Sequence, residues 1–86
     1  MNKILLVEDD FNRKRIVNGY LLVDISKHQE LHMSKSGNER IIIHNIIIEH
    51  VNNKFKLEFK IKTDRDLMYD DIMNKLGIVS LQSFKP

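Results

Sequence analysis

The sequence predicts an α+β domain, a curved antiparallel β-meander or small β-barrel with one C-terminal helix packed on it, and three stretches carry that expectation. Residues 40–51 read Arg-Ile-Ile-Ile-His-Asn-Ile-Ile-Ile-Glu-His-Val, and the two isoleucine triplets favour a pleated strand over a helix. Neighbouring positions in this stretch are apolar on both sides of the pleat, so both faces need cover. Residues 54–62 alternate, with Phe55, Leu57, Phe59 and Ile61 inward and Lys54, Lys56, Glu58, Lys60 and Lys62 outward. Residues 64–76 carry helical spacing instead, with Met68, Ile72 and Leu76 joined by Tyr69 and Met73 in one apolar stripe.

Taken in order, Lys3 to Glu8 is a strand, and Glu8-Asp9-Asp10-Phe11-Asn12 reverses the chain. Arg15 to Ser26 reads as one long second strand, with Val17, Gly19, Leu21, Val23 and Ile25 facing one way. Gly19 within it marks a bulge or sharp bend, as at a barrel corner. Lys27 to Gln29 is a turn, and Glu30 to Ser34 a third strand with Leu31 and Met33 inward. Ser36-Gly37-Asn38 signals a hairpin, because Gly and Asn accept positive φ at little steric cost. The isoleucine stretch then returns as one strand, or as two separated at His44-Asn45. Residues 3–51 thus supply the barrel-like part, and Asn52-Asn53 leads into the amphipathic strand 54–62. The helix 64–76 takes Thr63 or Asp64 as N-cap, Asp66 near its positive end, Lys75 near its negative end and Gly77 as its stop. Residues 78–84 add a terminal strand or extended segment.

At 86 residues the chain makes one domain, 1–86, and a domain this small buries only about 60 to 65% of its unfolded surface. With 42% hydrophobic residues, one proline and three glycines, the composition is that of a folded globular protein. The sequence has no cysteine, which excludes disulfides, thiolate catalysis and cysteine-ligated zinc. The apolar run Ile4 to Val7 is too short for a secretory signal, and no run approaches the roughly 20 residues that span a bilayer. The expectation is a cytoplasmic protein with no membrane contact. Abundant Lys, Asn and Ile suit an AT-rich genome, such as that of a low-GC bacterium or its phages. Net charge is +2, from 14 positive against 12 negative side chains, so local clustering matters more than the sum.

Asn18-Gly19-Tyr20-Leu21, Val23-Asp24-Ile25, Glu30-Leu31-His32-Met33, the Gly37-Asn38-Glu39 turn and Ile41 to Ile48 together resemble the small five-stranded β-barrel of YolD-like and Sm-like domains. The likeness is one of pattern and spans residues 3–51. It implies a non-catalytic module working beside DNA-repair or other nucleic-acid-processing machinery. The nucleotide-contacting motifs of true Sm proteins have no counterpart here, so an RNA-bound ring is not implied. Ile4 to Asp10 is also similar to the first strand and acidic pair of a receiver domain, but the β-rich order of the remaining chain excludes that fold.

Lys54, Lys56, Lys60 and Lys62 form the leading candidate site, since lysines on one strand face recur every ~6.6 Å and can follow a phosphate backbone. Arg13, Lys14 and Arg15 extend the row. The competing reading is a solvated outer face that discourages edge pairing, and the carboxylates Asp64, Asp66, Asp70 and Asp71 nearby in sequence would cancel its field. Those carboxylates themselves suit capping and a solvated helix face, or else an acidic docking surface or the binding of a divalent ion. His28 and His32 would share a metal on a helix, but on a strand they stand ~13 Å apart, and no metal site or cofactor is assigned. His44 suits a turn, and no role is assigned to His50. No nucleophile elbow, glycine-rich phosphate loop or paired histidine and carboxylate spacing is present in the sequence. The expectation is a non-enzymatic binding or regulatory protein that docks on a protein partner, in the manner of a phage-type inhibitor or an adaptor. Direct nucleic-acid binding is the alternative, and homo-oligomerisation through the isoleucine strand a third expectation.

Overall fold

The computed structural model describes residues 3–78. Strands β1 (Ile4–Glu8) and β2 (Lys14–Asn18) form a two-stranded antiparallel sheet. Strands β3 (Leu22–Met33), β4 (Arg40–His50) and β5 (Lys54–Phe59) form a three-stranded antiparallel meander, and helix α1 (Lys62–Lys75) comes after them. The class is α+β, as the sequence predicts. The sheets do not close into a barrel, because among the described residues β1 and β2 pair only with one another.

The predicted second strand is divided. Asn18 Oδ1 accepts the Tyr20 N–H at 3.0 Å and the Asn18 carbonyl accepts the Leu21 N–H at 3.1 Å, so residues 18–21 turn the chain between β2 and β3. Of the bulge or sharp bend expected at Gly19, the structure has the bend, and the Gly19 N–H donates to the Lys3 carbonyl at 2.6 Å. The predicted turn at Lys27 to Gln29 is absent, and β3 runs through it. There Lys27, His28 and Gln29 face Ile46, Asn45 and His44 across the ladder, and cross-strand pairing overrides the local polar composition. The isoleucine stretch is likewise one continuous strand, with His44 and Asn45 paired on both sides. Gly37 has φ 75° in the β3–β4 hairpin, as its sequence context requires.

Residues opposite one another in a ladder share a face. On one face Ile25, Ile48 and Phe55 align, with Ile46 beside Leu57, and α1 lays Ile72, Met73 and Leu76 against them. Val7 and Val17 from the small sheet complete this core. The helix begins earlier than predicted, with Ile61 as N-cap and no side-chain cap, so Ile61 is exposed and not inward. Buried Arg65 anchors the first turn, donating from Nη1 to the His28 carbonyl at 2.7 Å. The helix ends as predicted. Gly77 has φ 72°, and the Ile78 N–H returns to the Met73 carbonyl at 2.8 Å in a Schellman arrangement. Apart from Ile78, the predicted terminal segment 78–84 lies outside the described residues.

The β3–β4 pair is longer than its partner. It is paired from Leu22 and His50 to Met33 and Arg40, whereas β5 accompanies β4 only as far as His44 and Phe59. Beyond that point two strands continue as a ribbon, and the chain measures 47 Å along its longest axis. Leu31 and Met33, predicted inward, are exposed there, because neither β5 nor α1 reaches the ribbon.

A Cβ placed on Gly19 would meet the Lys3 carbonyl oxygen at 3.1 Å and Leu76 Cδ2 at 3.3 Å. The first is backbone and cannot swing aside. Gly19→Ala is therefore expected to destabilise the fold by about 1 to 3 kcal/mol, the range for overpacking, read as a lowered midpoint in urea unfolding.

Candidate functional site

The second face of the meander carries no layer of secondary structure among the described residues. Its register aligns Ser26, Ile47 and Lys56, then His28, Asn45 and Glu58, and beyond them Glu30 beside Ile43 and His32 beside Ile41. Long polar side chains from the flanking strands thus lean over the apolar ones of β4. Lys56 Nζ meets Glu30 Oε1 at 2.7 Å, and His32 Nε2 lies 3.1 Å from Glu30 Oε2. The Lys56 hydrogen bond, helped by that of His32, holds the Glu30 carboxyl below its ordinary pKa. Ile43 and Asn45 are buried beneath this canopy, and neither amide atom of Asn45 has a hydrogen-bond partner.

Arg13 joins the same network from the turn between β1 and β2, pairing with both Glu58 and Asp9. Asp9 is the better-satisfied group. Its Oδ1 accepts the N–H groups of Phe11 and Arg13, each at 3.0 Å. Its Oδ2 accepts Arg13 Nε at 3.0 Å and the Glu58 N–H, on the free edge of β5, at 2.9 Å. Burial pushes the Asp9 carboxyl upward, but these hydrogen bonds outweigh it and leave the pKa below the ordinary value. Asn12 takes φ 61° in this turn, a conformation asparagine tolerates.

The structure spreads the predicted basic row over several elements and pairs part of it with carboxylates. Lys54 and Lys56 lie on the outer face of β5, Lys60 comes just after the strand, and Lys62 opens the helix. Lys56 and Arg13 are held by carboxylates, while the Arg15 guanidinium stands 5.6 Å from the centre of the Phe55 ring. Lys60 and Arg13 flank the Phe11 ring at 5.5 and 5.8 Å. Lys14, Lys54 and Lys62 are exposed and spread over three elements. A phosphate backbone tracking β5 would have to separate Lys56 from Glu30.

The predicted acidic residues divide too. Asp66 meets Lys27 at 3.5 Å and Arg65 at 2.8 Å. Asp64 and Asp71, with Glu8 and Asp10, border a shallow depression of about 530 Å³ over Phe59, Leu67 and Met68.

Two groupings have no clear sequence signal. Glu30, His32 and Glu58 each place a ligand-type atom within 4.8 Å of the others, although Glu58 is two strands away. The alternation puts all three outward, but only the register brings them together. The ribbon is the other, with Leu31, Met33, Ile41 and Ile42 exposed by 59, 54, 47 and 47%. Comparison with family models, with curated proteins and with solved structures returns no match. Among the described residues no helix is long and apolar enough to cross a membrane.

These contacts set two expectations. Asp9→Asn should lose about 1.5 to 3 kcal/mol at neutral pH, the worth of hydrogen bonds to a charged group. Because the folded pKa lies below the unfolded one, Asp9's contribution is complete above about pH 3.9 and is lost as the pH falls through the folded value. The gap in melting temperature between the two proteins should therefore narrow on acidification, and a gap independent of pH would refute the assignment. Second, any binding of fluorescent single- or double-stranded DNA at low salt should survive Lys56→Glu with Lys60→Glu. A large loss in that variant would restore the lysine strand as a contact surface.

Proposed function

We propose that the protein is a non-catalytic binding module that docks on another protein through the distal β3–β4 ribbon, as an inhibitor or adaptor does. One observation carries this reading: Leu31, Met33 and Ile42 on one face of a two-stranded projection, and Ile41 on the other, are exposed large apolar side chains that the remaining described residues leave uncovered. Single exposed apolar residues are ordinary, whereas a cluster on a projecting element marks an interaction surface. Leu31, Met33 and Ile42 share one face of the ribbon and Ile41 lies on the other. The outer edge of β4 over residues 40–43 has no neighbouring strand among the described residues, which suits an added strand from a partner. Arg40 and Lys35 border the tip, so a partner segment with apolar residues flanked by carboxylates fits its chemistry.

The test is Leu31→Glu combined with Ile42→Glu, both at exposed positions where the fold should persist. The expected result is that a partner captured from a bacterial extract by the wild-type protein is lost from this variant, with the melting temperature within a few degrees of wild type. Identical captured sets would sink the reading. Sedimentation velocity over a range of concentrations separates the remaining occupant, since a dimer abolished by the same pair would make the ribbon a contact between copies.

A further inference from the structure

We infer that Glu30, His32 and Glu58, with the Asn45 amide beside them, form a binding site for a first-row divalent cation of the zinc kind. The three side chains offer one imidazole nitrogen and two carboxylates, a mixed nitrogen and oxygen set that suits zinc better than magnesium. Their ligand-type atoms lie within 4.8 Å of one another. Ligands at ~2.0 to 2.2 Å from a tetrahedral ion stand roughly 3.3 to 3.6 Å apart, so the site must contract. Glu30 and His32 lie on the ribbon and are open enough to rotate inward, while the strands hold the backbone fixed.

Asn45 is the independent observation. It is 0% exposed, and both Nδ2 and Oδ1 lack a partner. In the ladder it sits directly opposite Glu58, so the two side chains rise from the same face on adjacent strands. Its same-face neighbours along β4 are Ile43 and Ile47, and packing alone would favour a third apolar residue there. A buried amide without a hydrogen bond calls for an explanation, and a cation between Glu30 and Glu58 would give Oδ1 something to ligate or orient toward. His44 Nδ1 is also unpartnered, but His44 faces the core beside Phe59 and takes no part. Lys56 now occupies Glu30, and Arg13 occupies Glu58, so both cations act as competitors.

The experiment is titration of the metal-free protein with Zn²⁺ against a chromophoric chelator, with Mg²⁺ in parallel and melting followed in each case. One equivalent of Zn²⁺ should bind at micromolar protein and raise the melting temperature, with no such effect from Mg²⁺. Glu30→Gln and His32→Asn, both outside the core, should each weaken binding by at least about tenfold, as should Asn45→Val, while the metal-free Asn45→Val protein melts no lower than wild type. Lys56→Met should strengthen binding, because it removes a competing cation. That last result separates a built site from a surface histidine binding zinc by itself. Failure to bind, or an affinity indifferent to Glu30→Gln, Asn45→Val and Lys56→Met, overturns the inference.

Discussion

The Asp9 carboxylate is a principal tie between the two-stranded and the three-stranded sheet, beside the Asn18 N–H that His50 Nε2 accepts at 3.1 Å. An edge strand presents unpaired backbone groups, and β5 would present its outer edge to water if nothing covered it. A barrel would solve this with another ladder. Here the turn between β1 and β2 solves it with two side chains and a backbone bond. Asp9 accepts the Glu58 N–H, the Asp10 N–H donates to the Glu58 carbonyl at 3.0 Å, and Asp10 Oδ2 accepts the Lys60 N–H at 2.9 Å. Since these contacts involve only the turn, β1 and β2 are free to lean over the core, where Val7 and Val17 meet the sheet and helix. The open architecture results from that substitution.

The second face of the meander shows how a sheet without a covering layer keeps isoleucines dry. β4 is central, so its side chains are flanked on both sides, and Lys56, Glu58, Glu30 and His28 can arch across it. Glu30 flanks Ile43 and Lys56 flanks Ile47 in the ladders, and the heads pair at the surface, Lys56 with Glu30 and His28 with Ser26. Such exposed pairs contribute little stability singly. They have a different consequence, which is that acidic and imidazole groups from separate strands are gathered over one buried amide. That gathering of side chains is the basis of the proposed cation site.

Much of the fold is legible in the sequence where the signal is local. The alternation from Lys54 to Phe59, the stripe of Ile72, Met73 and Leu76, and the positive φ of Gly37 and Gly77 each depend on a few adjacent residues and a fixed geometry. The sequence misleads where distant residues decide. Gly19 reads only as a bulge or bend because its further constraint, the approach of Lys3 and Leu76, comes from residues distant in sequence. Lys27 to Gln29 read as a turn because the residues that hold them in a strand are His44 to Ile46. The lysines of β5 do point outward as the alternation predicts, yet the partners Glu30, Glu58 and Asp9 come from separate elements, so charge counting does not reveal that Lys56 and Arg13 are already engaged.

Leu31 and Met33 carry the most informative failure, because the reasoning that places them inward is sound for a strand of ordinary length. Alternation specifies which face a residue joins, not whether that face is covered at that distance along the strand. In the one continuous β3, Leu31 and Met33 share the face of Ile25, but cover depends on the length of β5 and α1. β5 ends at Phe59, where the chain leaves for the helix, and α1 crosses near His28 through Arg65. The hairpin therefore outruns its support by several residues on each strand. Had these positions only to end a hairpin, polar residues would serve better and would protect the edge. Apolar residues at Leu31, Met33, Ile41 and Ile42 leave surface exposed that another chain can bury, and this mismatch between strand length and cover is the physical ground for proposing the ribbon as a docking surface.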